Sequence, residues 1–533
     1  MFLGNFLSYY NRRLARFCGL ILSVLVLTSC GGESGNTDPN SSTIVINTPS
    51  ATNTQPAAIS QSIVVNKNSS VSITLTGTDA DNDALIYMIS KQPTSNTLSG
   101  TPPNLIYTPK VDFLGSDSFT FTVNDGSETS NEATVSINVV LNEDAAKPFP
   151  QENDYSGLNK PTHKTQNELN QAVIIHFDEW KNTYLTQSNG NTPGGGYYIK
   201  MGGEGCSPNA TTSEAHGYGM IIMALMAGQE PQAKHYFDGM YNMYDQHRSI
   251  INNHLMSWCI NPTEDNFYNN DSATDGDMDI AYSLILAHEQ WGSDGSINYL
   301  DEAKRIITKG IKVSNMGTDN LILLGDWVSG NSAYTYGTRP SDWMTSHLRV
   351  FATATGDTYW NETADNIYQI MNIIRNNYAQ TTGLMPDFID GENPRPAPEN
   401  FLEATTDGQF SWNACRVPLR IAFDAAHFGN SSAREALTYI VDWIELKTLG
   451  KPSAIVAGYD LNGDALVNYS NMAFTAPMIA AAAVANGDHQ NFINKGWDLI
   501  NSSNNNTPNT YYPNSIKLLS MLFISGNWWQ PLQ

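Results

Sequence analysis

The chain has 533 residues, and its 52 acidic against 28 basic side chains give a formal net charge of −24. Such a chain lacks the basic surface that neutralises phosphates, which argues against nucleic acid and anionic lipid as partners. At roughly 150 residues per domain the length predicts two to four domains, although helical barrels run longer as single units. The charge would attract a polycationic substrate, but secreted proteins are often acidic without such a ligand.

The first 30 residues are typical of a secretion signal. Three arginines precede an apolar run over 17–27, which has about the length of a signal-peptide core and is too short to span a bilayer. The run ends in Leu27-Thr28-Ser29-Cys30-Gly31, which resembles the lipobox of bacterial lipoproteins. We therefore expect a signal peptide over 1–29, lipidation of Cys30, and a lipid anchor in the cell envelope, at the outer membrane or cell surface. Residues 30–60, rich in Gly, Ser, Thr, Asn and Pro, predict a flexible spacer.

Three cysteines follow the signal region, at Cys206, Cys259 and Cys415. An odd set leaves at least one thiol unpaired, and five cysteines in all are too few for a disulfide scaffold of this size. Their spacing does not match that of metal ligands. We therefore expect no metal centre built on cysteine.

Residues 61–142 alternate between apolar and polar side chains with a period of two. The runs at 71–75, 119–123 and 135–139 show this pattern, and turns rich in Asp, Asn and Gly separate them. Several short strands at this spacing predict a β-sandwich similar to cadherin-like or immunoglobulin-like modules. Asp79, Asp81 and Asp83 are spaced to offer oxygens to calcium, but turn geometry explains the same residues and is the favoured interpretation.

The remainder of the chain predicts a linker and then a helical domain. Residues 143–160 are polar with two closely spaced prolines, as in a linker, and helical stripes recur over 161–533 between loops rich in Gly, Asn and Pro. The stripes lie at 220–227, 280–291, 344–354, 360–374, 417–428, 433–449 and 473–485. Repeated helical hairpins predict an all-α domain, and the pattern leaves open whether it is an (α/α)6 barrel or an irregular helical fold.

Acidic residues at three positions are candidates for chemistry. Asp275 and Asp277 begin an apolar helix within 273–291, and Glu214 begins another within 213–220. Acids at a helix start beside aromatic side chains suit a cleft for sugars, yet acids in a first turn are often only caps and dipole partners. Glu214 would serve as a general acid only where burial outweighs the helix dipole, which lowers its pKa. Glu403 lies on the Pro-rich loop 386–406, where a carboxylate is usually a solvated surface charge.

Aromatic side chains near loops and helix starts are further candidates, because stacked rings hold the faces of sugars. Core packing is the better-supported interpretation for any single tryptophan, and spacing does not choose among them. The candidates are Tyr197, Tyr198, Trp258, Trp327, Trp343 and Trp412.

Three segments together resemble glycoside hydrolase family 8. Residues 273–291 match the family signature, residues 213–220 resemble its general-acid motif, and residues 339–344 resemble a further family segment. The resemblance extends over roughly 150–533. It implies an (α/α)6 barrel and inverting hydrolysis of β-1,4-linked glycans, with no metal or organic cofactor. The family includes endoglucanases, licheninases, chitosanases and xylanases.

The resemblance also implies roles for individual residues. Glu214 would be the general acid, and Asp275 would bind and distort the sugar before the cut and orient the attacking water. Many members have their general base where this chain has Asn413, and an amide cannot take a proton from water. The departure marks a branch, typified by a bacterial chitosanase, whose base is a glutamate on an inserted loop, and Glu403 is therefore the expected base. The reserves are Glu399 and Asp407.

A wider set of residues is expected to bind substrate: Tyr218, Trp258, Asp277, Trp327, Asp342, Trp343, Trp412, Asn413 and Arg416. The branch and the acidic charge favour chitosan as substrate, ahead of mixed-linkage β-1,3-1,4-glucan or cellulose-like chains. Asn413 keeps open a surface glycan-binding lipoprotein with an inactive barrel, and the β-sandwich alone would suit an adhesin. We expect a monomer whose partners are a polysaccharide and, through its anchor, a membrane.

Overall fold

The computed structural model describes residues 53–66, 69–94, 96–110, 113, 115–140, 145–188, 196–202, 210–262, 266–328, 330, 332–503, 507 and 509–533. The predicted signal peptide, Cys30, Cys206 and most of the predicted spacer lie outside these residues. Within the described ranges, no helix combines the length and the apolar character that a membrane span requires.

The N-terminal module is a β-sandwich, as the alternation predicted. Its strands are β1 (Ala57–Ala58), β2 (Gln61–Asn66), β3 (Val71–Thr74), β4 (Gly77–Thr78), β5 (Ile86–Lys91), β6 (Thr97–Thr101), β7 (Asn104–Thr108), β8 (Gly115–Asn124) and β9 (Ala133–Val140). One sheet has the order β2-β9-β8-β5 and the other β3-β7-β6, while β1 pairs with β4. Alternate side chains such as Phe119, Phe121 and Val135 fill the core between the sheets. The first strand begins at Ala57, inside the predicted spacer.

Asp79 closes a turn of this module. Its Oδ1 accepts hydrogen bonds from the backbone N–H groups of Asp81 at 2.9 Å and Asp83 at 3.0 Å. These contacts give the aspartates the turn role that the sequence favoured. Across the described ranges, no group of three or more His, Cys, Asp or Glu side chains is arranged to hold a metal ion.

The predicted linker, where described (145–160), is bound to the helical domain. The N–H groups of Ala146 and Phe149 donate to the carbonyls of Gln290 at 2.9 Å and Ala227 at 2.7 Å. The side chains of Phe149 and Leu158 are buried in the helical core. Most of the segment is therefore part of the helical domain and not a free linker, because two apolar side chains are enough to dock an otherwise polar stretch.

The helical domain contains thirteen α-helices among its described residues. They are α1 (Gln166–Tyr184), α2 (Ser213–Leu225), α3 (Ala233–Gln246), α4 (Thr274–Trp291), α5 (Tyr299–Arg305), α6 (Lys312–Ser314), α7 (Thr345–Thr355), α8 (Tyr359–Tyr378), α9 (Val417–His427), α10 (Ser431–Lys447), α11 (Met472–Ala482), α12 (Gln490–Ser502) and α13 (Tyr511–Ile524). A π-helical turn, Ile306–Ile311, joins α5 to α6.

These helices form two concentric rings. The inner ring runs α2, α4, α7, α9, α11 and α13; each helix packs on the next, and α13 closes on α2. The outer helices α1, α3, α5, α8, α10 and α12 each pack on an inner one. Every residue of α9 is buried, as expected of a helix enclosed on all sides. The fold is thus an (α/α)6 barrel, one of the two forms that the sequence left open.

Short strands decorate the barrel. They are β10 (Leu185–Gln187), β11 (Tyr197–Ile199), β12 (Thr211–Thr212), β13 (Cys259–Asn261), β14 (Asn266–Asn269), β15 (Ile389–Asp390) and β16 (Arg395–Pro396). The sheet β12-β13-β14 leads directly into α2 and α4. Cys259 in this sheet is disulfide-bonded, whereas Cys415 is buried and free, which agrees with the expected unpaired thiol.

The two ends of the inner ring carry different groups. Helices α2 and α4 begin with Glu214 and Asp275 in their first turns. At their C-terminal ends, the Gln290 side chain accepts from the N–H of Lys147 at 2.7 Å and donates to its carbonyl at 2.8 Å. Asn66 of the sandwich donates to the carbonyl of Gly228, just beyond α2, at 2.6 Å. The chain therefore enters the barrel at the end opposite the two acids.

Candidate active site

The first turns of α2 and α4 lie side by side, and this brings two carboxylates together. The Thr212 hydroxyl caps α2 by accepting from the N–H of Ala215 at 3.2 Å. Gly276 permits the close approach of the two helix starts, because a Cβ there would lie 2.2 Å from the Ser213 Oγ. The Glu214 and Asp275 side chains, one residue from this contact in each helix, consequently share a single partner.

That partner is the guanidinium group of Arg416, which is buried at the start of α9. Its Nη1 donates to Glu214 Oε2 and, at 2.9 Å, to Asp275 Oδ2. Its Nη2 donates to the Ser341 hydroxyl at 2.9 Å and to Asn413 Oδ1 at 3.0 Å. One arginine thus links the acids of two helices to residues of two loops, with the planar donor array that suits several acceptors.

The same surroundings drive the pKa values of the two acids in opposite directions. Burial raises the pKa of Glu214 to about 7; Arg416 opposes the shift, and the neighbouring Asp275 charge adds to it. Burial acts on Asp275 too, but Arg339 and Arg416 outweigh it and lower its pKa to about 2. At neutral pH the pair can therefore offer a protonated carboxyl beside an ionised carboxylate, the division of labour that acid catalysis needs.

Glu403 meets this network from the loop before α9. Its Oε2 accepts a hydrogen bond from Asn413 Nδ2 at 2.9 Å, and its Oε1 lies 3.9 Å from Arg339 Nη1. The side chain is 48% exposed, so solvent water reaches it. The Asn413 amide is oriented by its two neighbours, because its oxygen accepts from Arg416 while its nitrogen donates to Glu403. The loop carboxylate is thus directed toward the acids of α2 and α4.

The two reserve bases differ in their surroundings. Asp407 is buried and its carboxylate accepts three backbone N–H groups of its own loop, those of Leu402, Glu403 and Ala404. Glu399 is exposed, four residues before Glu403. Neither carboxylate contacts Arg416 or Arg339 in the structure.

A second buried ion pair, between Arg339 and Asp342, adjoins this network. Arg339 Nε donates to Asp342 Oδ1 at 2.9 Å, and its Nη2 lies 3.2 Å from Asp275 Oδ1. Burial raises the pKa of Asp342 to about 6, against the pull of Arg339. Asp342, which the sequence predicts to bind substrate, is fully buried and orients Arg339 through this contact.

Some of the expected substrate-binding residues lie elsewhere. Asp277 is buried and accepts from the Met256 N–H at 3.0 Å and from Asn315 at 3.2 Å; burial raises its pKa well above the usual range. The Trp343 indole is in the barrel core and donates to Thr338. The structure therefore gives both residues partners outside the Arg416 network, although the sequence predicted that they bind substrate.

The remaining aromatic candidates stand in different positions. Trp412 is 40% exposed beside Asn413, with Phe474 packed edge-on at 5.2 Å. The Tyr218 hydroxyl lies 3.4 Å from Arg416 Nη1, so this buried tyrosine belongs to the network. Trp258 and Trp327 are half-buried, and Trp327 packs against Tyr334 beneath the loop of Glu403. Tyr198 is buried, and Tyr197 packs against His235 and Tyr236 on α3.

Sequence reasoning missed Arg339, Ser341 and Tyr511 as members of the site. The Tyr511 hydroxyl, in the first turn of α13, lies 3.5 Å from Glu214 Oε1. Arg339 and Ser341 fall in the 339–344 segment that carried part of the resemblance, so that segment held a signal for them. Nothing in the local sequence marks Tyr511, since its proximity depends on the closure of the ring between α13 and α2.

Comparison with known proteins gives consistent matches over both domains. The family model for glycosyl hydrolases family 8 matches residues 164–526, and that for a bacterial Ig domain matches residues 53–138. An endoglucanase of Bacillus sp. strain KSM-330 is 44% identical over 392 residues, covering 72% of this chain and 82% of that protein. A β-glucanase of Niallia circulans is 43% identical over 387 residues, covering 72% and 91%.

Solved structures agree with these sequence matches. The apo structure of a β-1,3-1,4-glucanase from Paenibacillus sp. X4 is 43% identical with a TM-score of 0.68, covering 72% of this chain and all of that one. A xylanase from Teredinibacter turnerae, at 17% identity and a TM-score of 0.60 over 71% of this chain and 98% of that one, shares the fold alone.

Proposed function

Because the chain belongs to glycosyl hydrolase family 8 and is a glycosidase, we propose that it cleaves internal β-1,4 bonds of a neutral β-glucan, with inversion at the anomeric carbon. Mixed-linkage β-1,3-1,4-glucan is the first candidate substrate and a cellulose-like chain the second. The observation that carries the proposal is the contact of Arg416 with both Glu214 and Asp275, beside the loop carboxylate of Glu403.

The substrate ranking reverses the expectation of chitosan. The relatives at 43–44% identity are named endoglucanase, β-glucanase and β-1,3-1,4-glucanase, and none of these names refers to chitosan. The site charges point the same way, because Asp275 and Asp342 are paired with Arg339 and Glu214 with Arg416. The net charge of −24 is summed over the whole chain. Within the site, the ion pairs leave none of these three carboxylates unpaired to bind a glucosamine ammonium group.

In the proposed reaction, three carboxyl groups have separate tasks. Protonated Glu214 gives its proton to the glycosidic oxygen as the bond to the anomeric carbon breaks. Glu403 takes a proton from the water that attacks from the opposite face, which requires about 6.5–9.5 Å between the two carboxyl groups in an inverting enzyme. Ionised Asp275 accepts hydrogen bonds from the sugar and the water. Asn413 cannot be the base, since an amide does not take a proton from water; its nitrogen instead donates to Glu403.

The test is a substrate panel of barley β-glucan, lichenan, carboxymethylcellulose and chitosan, with proton NMR of the newly released anomer. We expect cleavage of the glucans with α-configured fresh product. Glu214→Gln and Glu403→Gln should each lower the rate of product release about 10²–10⁴-fold, while Glu399→Gln, on the same loop, should leave it unchanged. Strong activity on chitosan alone would overturn the proposed substrate. A β-configured product would overturn the proposed inversion. An inactive Glu399→Gln variant together with an active Glu403→Gln variant would overturn the assignment of Glu403 as the base.

The same panel addresses the inactive, glycan-binding alternative. If wild type and Glu214→Gln both bind β-glucan in affinity electrophoresis and neither releases sugar, the protein is a binder. Intact Glu214 and Asp275 with opposed pKa shifts favour the enzyme.

We propose, in addition, that the protein is a monomeric lipoprotein of the outer membrane or cell surface. The proposal is supported by the lipobox-like sequence at 27–31 and by the spacer composition that follows. Metabolic labelling with a fatty-acid probe should mark the wild type, and Cys30→Ser should abolish the label and release the protein from membranes. Light scattering of the protein lacking residues 1–52 measures the oligomeric state. Labelling of the Cys30→Ser variant would contradict lipidation at Cys30, and a dimer in light scattering would contradict the monomeric state.

A further inference from the structure

We propose that Asp407 is a positioning residue for catalysis, which acts by fixing the backbone that carries Glu403. The inference rests on the proposed role of Glu403 as the general base. Asp407 lies in the same loop, four residues further along, and its carboxylate is 1% exposed. A carboxylate that is deeply buried needs compensating hydrogen bonds, and it finds them in the loop itself.

The hydrogen bonds of Asp407 converge on the peptide groups around Glu403. Oδ2 accepts from the N–H groups of Leu402 at 2.7 Å and Glu403 at 2.9 Å, and Oδ1 accepts from that of Ala404 at 2.8 Å. Three charge-assisted bonds to consecutive residues fix the plane and direction of the backbone at Glu403. The Glu403 side chain is 48% exposed, so its position depends strongly on the backbone that carries it.

The rest of the loop is shaped to complete this clamp. Asn400 adopts a left-handed conformation with φ of 58°, and its N–H donates to the Ala404 carbonyl at 2.8 Å, which closes the bend around Glu403. Phe401 packs against Tyr334 with ring centroids 5.1 Å apart and anchors the loop on the apolar side. These contacts shape the loop and pack it on Tyr334, whereas Asp407 accepts the Glu403 N–H directly.

A second buried carboxylate holds the other partner of Glu403. Asp387 Oδ1 accepts the N–H groups of Ser411 at 3.1 Å, Asn413 at 3.0 Å and Ala414 at 2.7 Å. The two clamps are joined, because the Phe388 N–H donates to the Asp407 carbonyl at 2.8 Å. Glu403 is therefore fixed through its backbone by Asp407 and through its side chain by Asn413. An exposed general base held in this way needs little reorganisation in the transition state.

The test is a double-mutant cycle on β-glucan with Asp407→Asn and Glu403→Gln. An asparagine keeps one acceptor but turns an NH₂ group toward backbone donors, so the clamp is broken with little change in volume. We expect kcat to fall about ten- to hundredfold with KM nearly unchanged, as a misplacement of about 1 Å produces. In the Glu403→Gln background, Asp407→Asn should cause no further loss, because the group that it positions is already absent.

The controls separate positioning from folding and from the proposed function. Asp125→Asn in the β-sandwich removes a similar carboxylate, which accepts from two backbone N–H groups at 2.7 Å, and should leave kcat unchanged. If Asp407→Asn does not fold by circular dichroism, Asp407→Ser, which retains a hydroxyl acceptor, replaces it in the cycle. An unchanged kcat, or an equal loss in both backgrounds, would overturn the inference. A fully active Glu403→Gln would instead overturn the base assignment itself.

Discussion

The raised pKa of Glu214 predicts where activity is lost as the pH rises. A general acid works only while protonated, so kcat/KM should be half-maximal at a pH of about 7 and fall about tenfold per unit above it. With the ordinary value of 4.5, about 0.3% of the side chains would be protonated at pH 7, against about half with the raised value. The raised pKa of Glu214 therefore increases the protonated fraction at neutral pH by about two orders of magnitude.

The assay measures initial rates on a soluble β-glucan well below KM, from pH 4 to pH 9, together with an oligosaccharide carrying a dinitrophenyl leaving group. That leaving group departs without a proton, so the pH–rate profile measured with this substrate should lack the fall in rate at high pH. Glu214→Gln should lose about 10²–10⁴-fold on glucan and far less on the activated substrate. A basic limb centred near 4.5, or an equal loss of both activities in the variant, would refute the assignment of Glu214 as a buried acid.

Three further changes probe the supports of the site. Asn413→Ala should lower kcat about ten- to hundredfold in steady-state assays, because the Glu403 carboxylate loses a hydrogen-bond donor and an Arg416 N–H loses its acceptor. An unchanged kcat would show that the amide does not orient the base. Gly276→Ala should destabilise the barrel by at least about 2 kcal/mol in thermal unfolding, since its Cβ would meet Ser213, whereas Gly295→Ala, with open space around it, should be nearly neutral. Deleting residues 31–142 should leave kcat/KM on soluble glucan within about twofold of the wild-type value. A deletion extended to residue 160 should lower the melting temperature, because burial of Phe149 and Leu158 contributes about 1.5–3 kcal/mol each to the stability of the barrel.

The helices that the sequence predicted best are those of the inner ring and those with a wide apolar face. Residues 280–291 and 417–428 correspond to parts of α4 and α9, and 433–449 to α10. The outer helices α1, α3, α5 and α12 and the short helix α6 were not predicted, although apolar residues recur on one face of α3 and α12. α13 was also missed, although it is almost wholly buried, because Lys517 and three serine or asparagine side chains break the run. The closure of the ring depends on contacts between distant segments that no local period encodes.

The site shows the same division between local and long-range information. Acids at a helix start are visible in the sequence, but Asp275 and Asp277 look alike there. Only their contacts distinguish them, because Asp275 accepts from Arg416 whereas Asp277 accepts from the Met256 N–H. The proposed role of Asp407 could not be predicted either, because the sequence does not distinguish an aspartate that accepts from backbone N–H groups from one that is solvated. The resemblance placed Glu403, and the structure supplied the partners that direct it.

The barrel also separates the end at which the chain enters it from the end that carries the two acids. The acids begin α2 and α4, while the segment 145–149 and Asn66 of the sandwich meet the regions where these helices end. At 1.5 Å per residue, the 13 residues of α2 separate the two ends by about 20 Å. The segment that follows the sandwich and the residues around Glu214 and Asp275 therefore lie at opposite ends of the inner ring. In the proposed reaction, a long polymer can lie across the acid-bearing end without meeting the segment by which the chain enters the barrel.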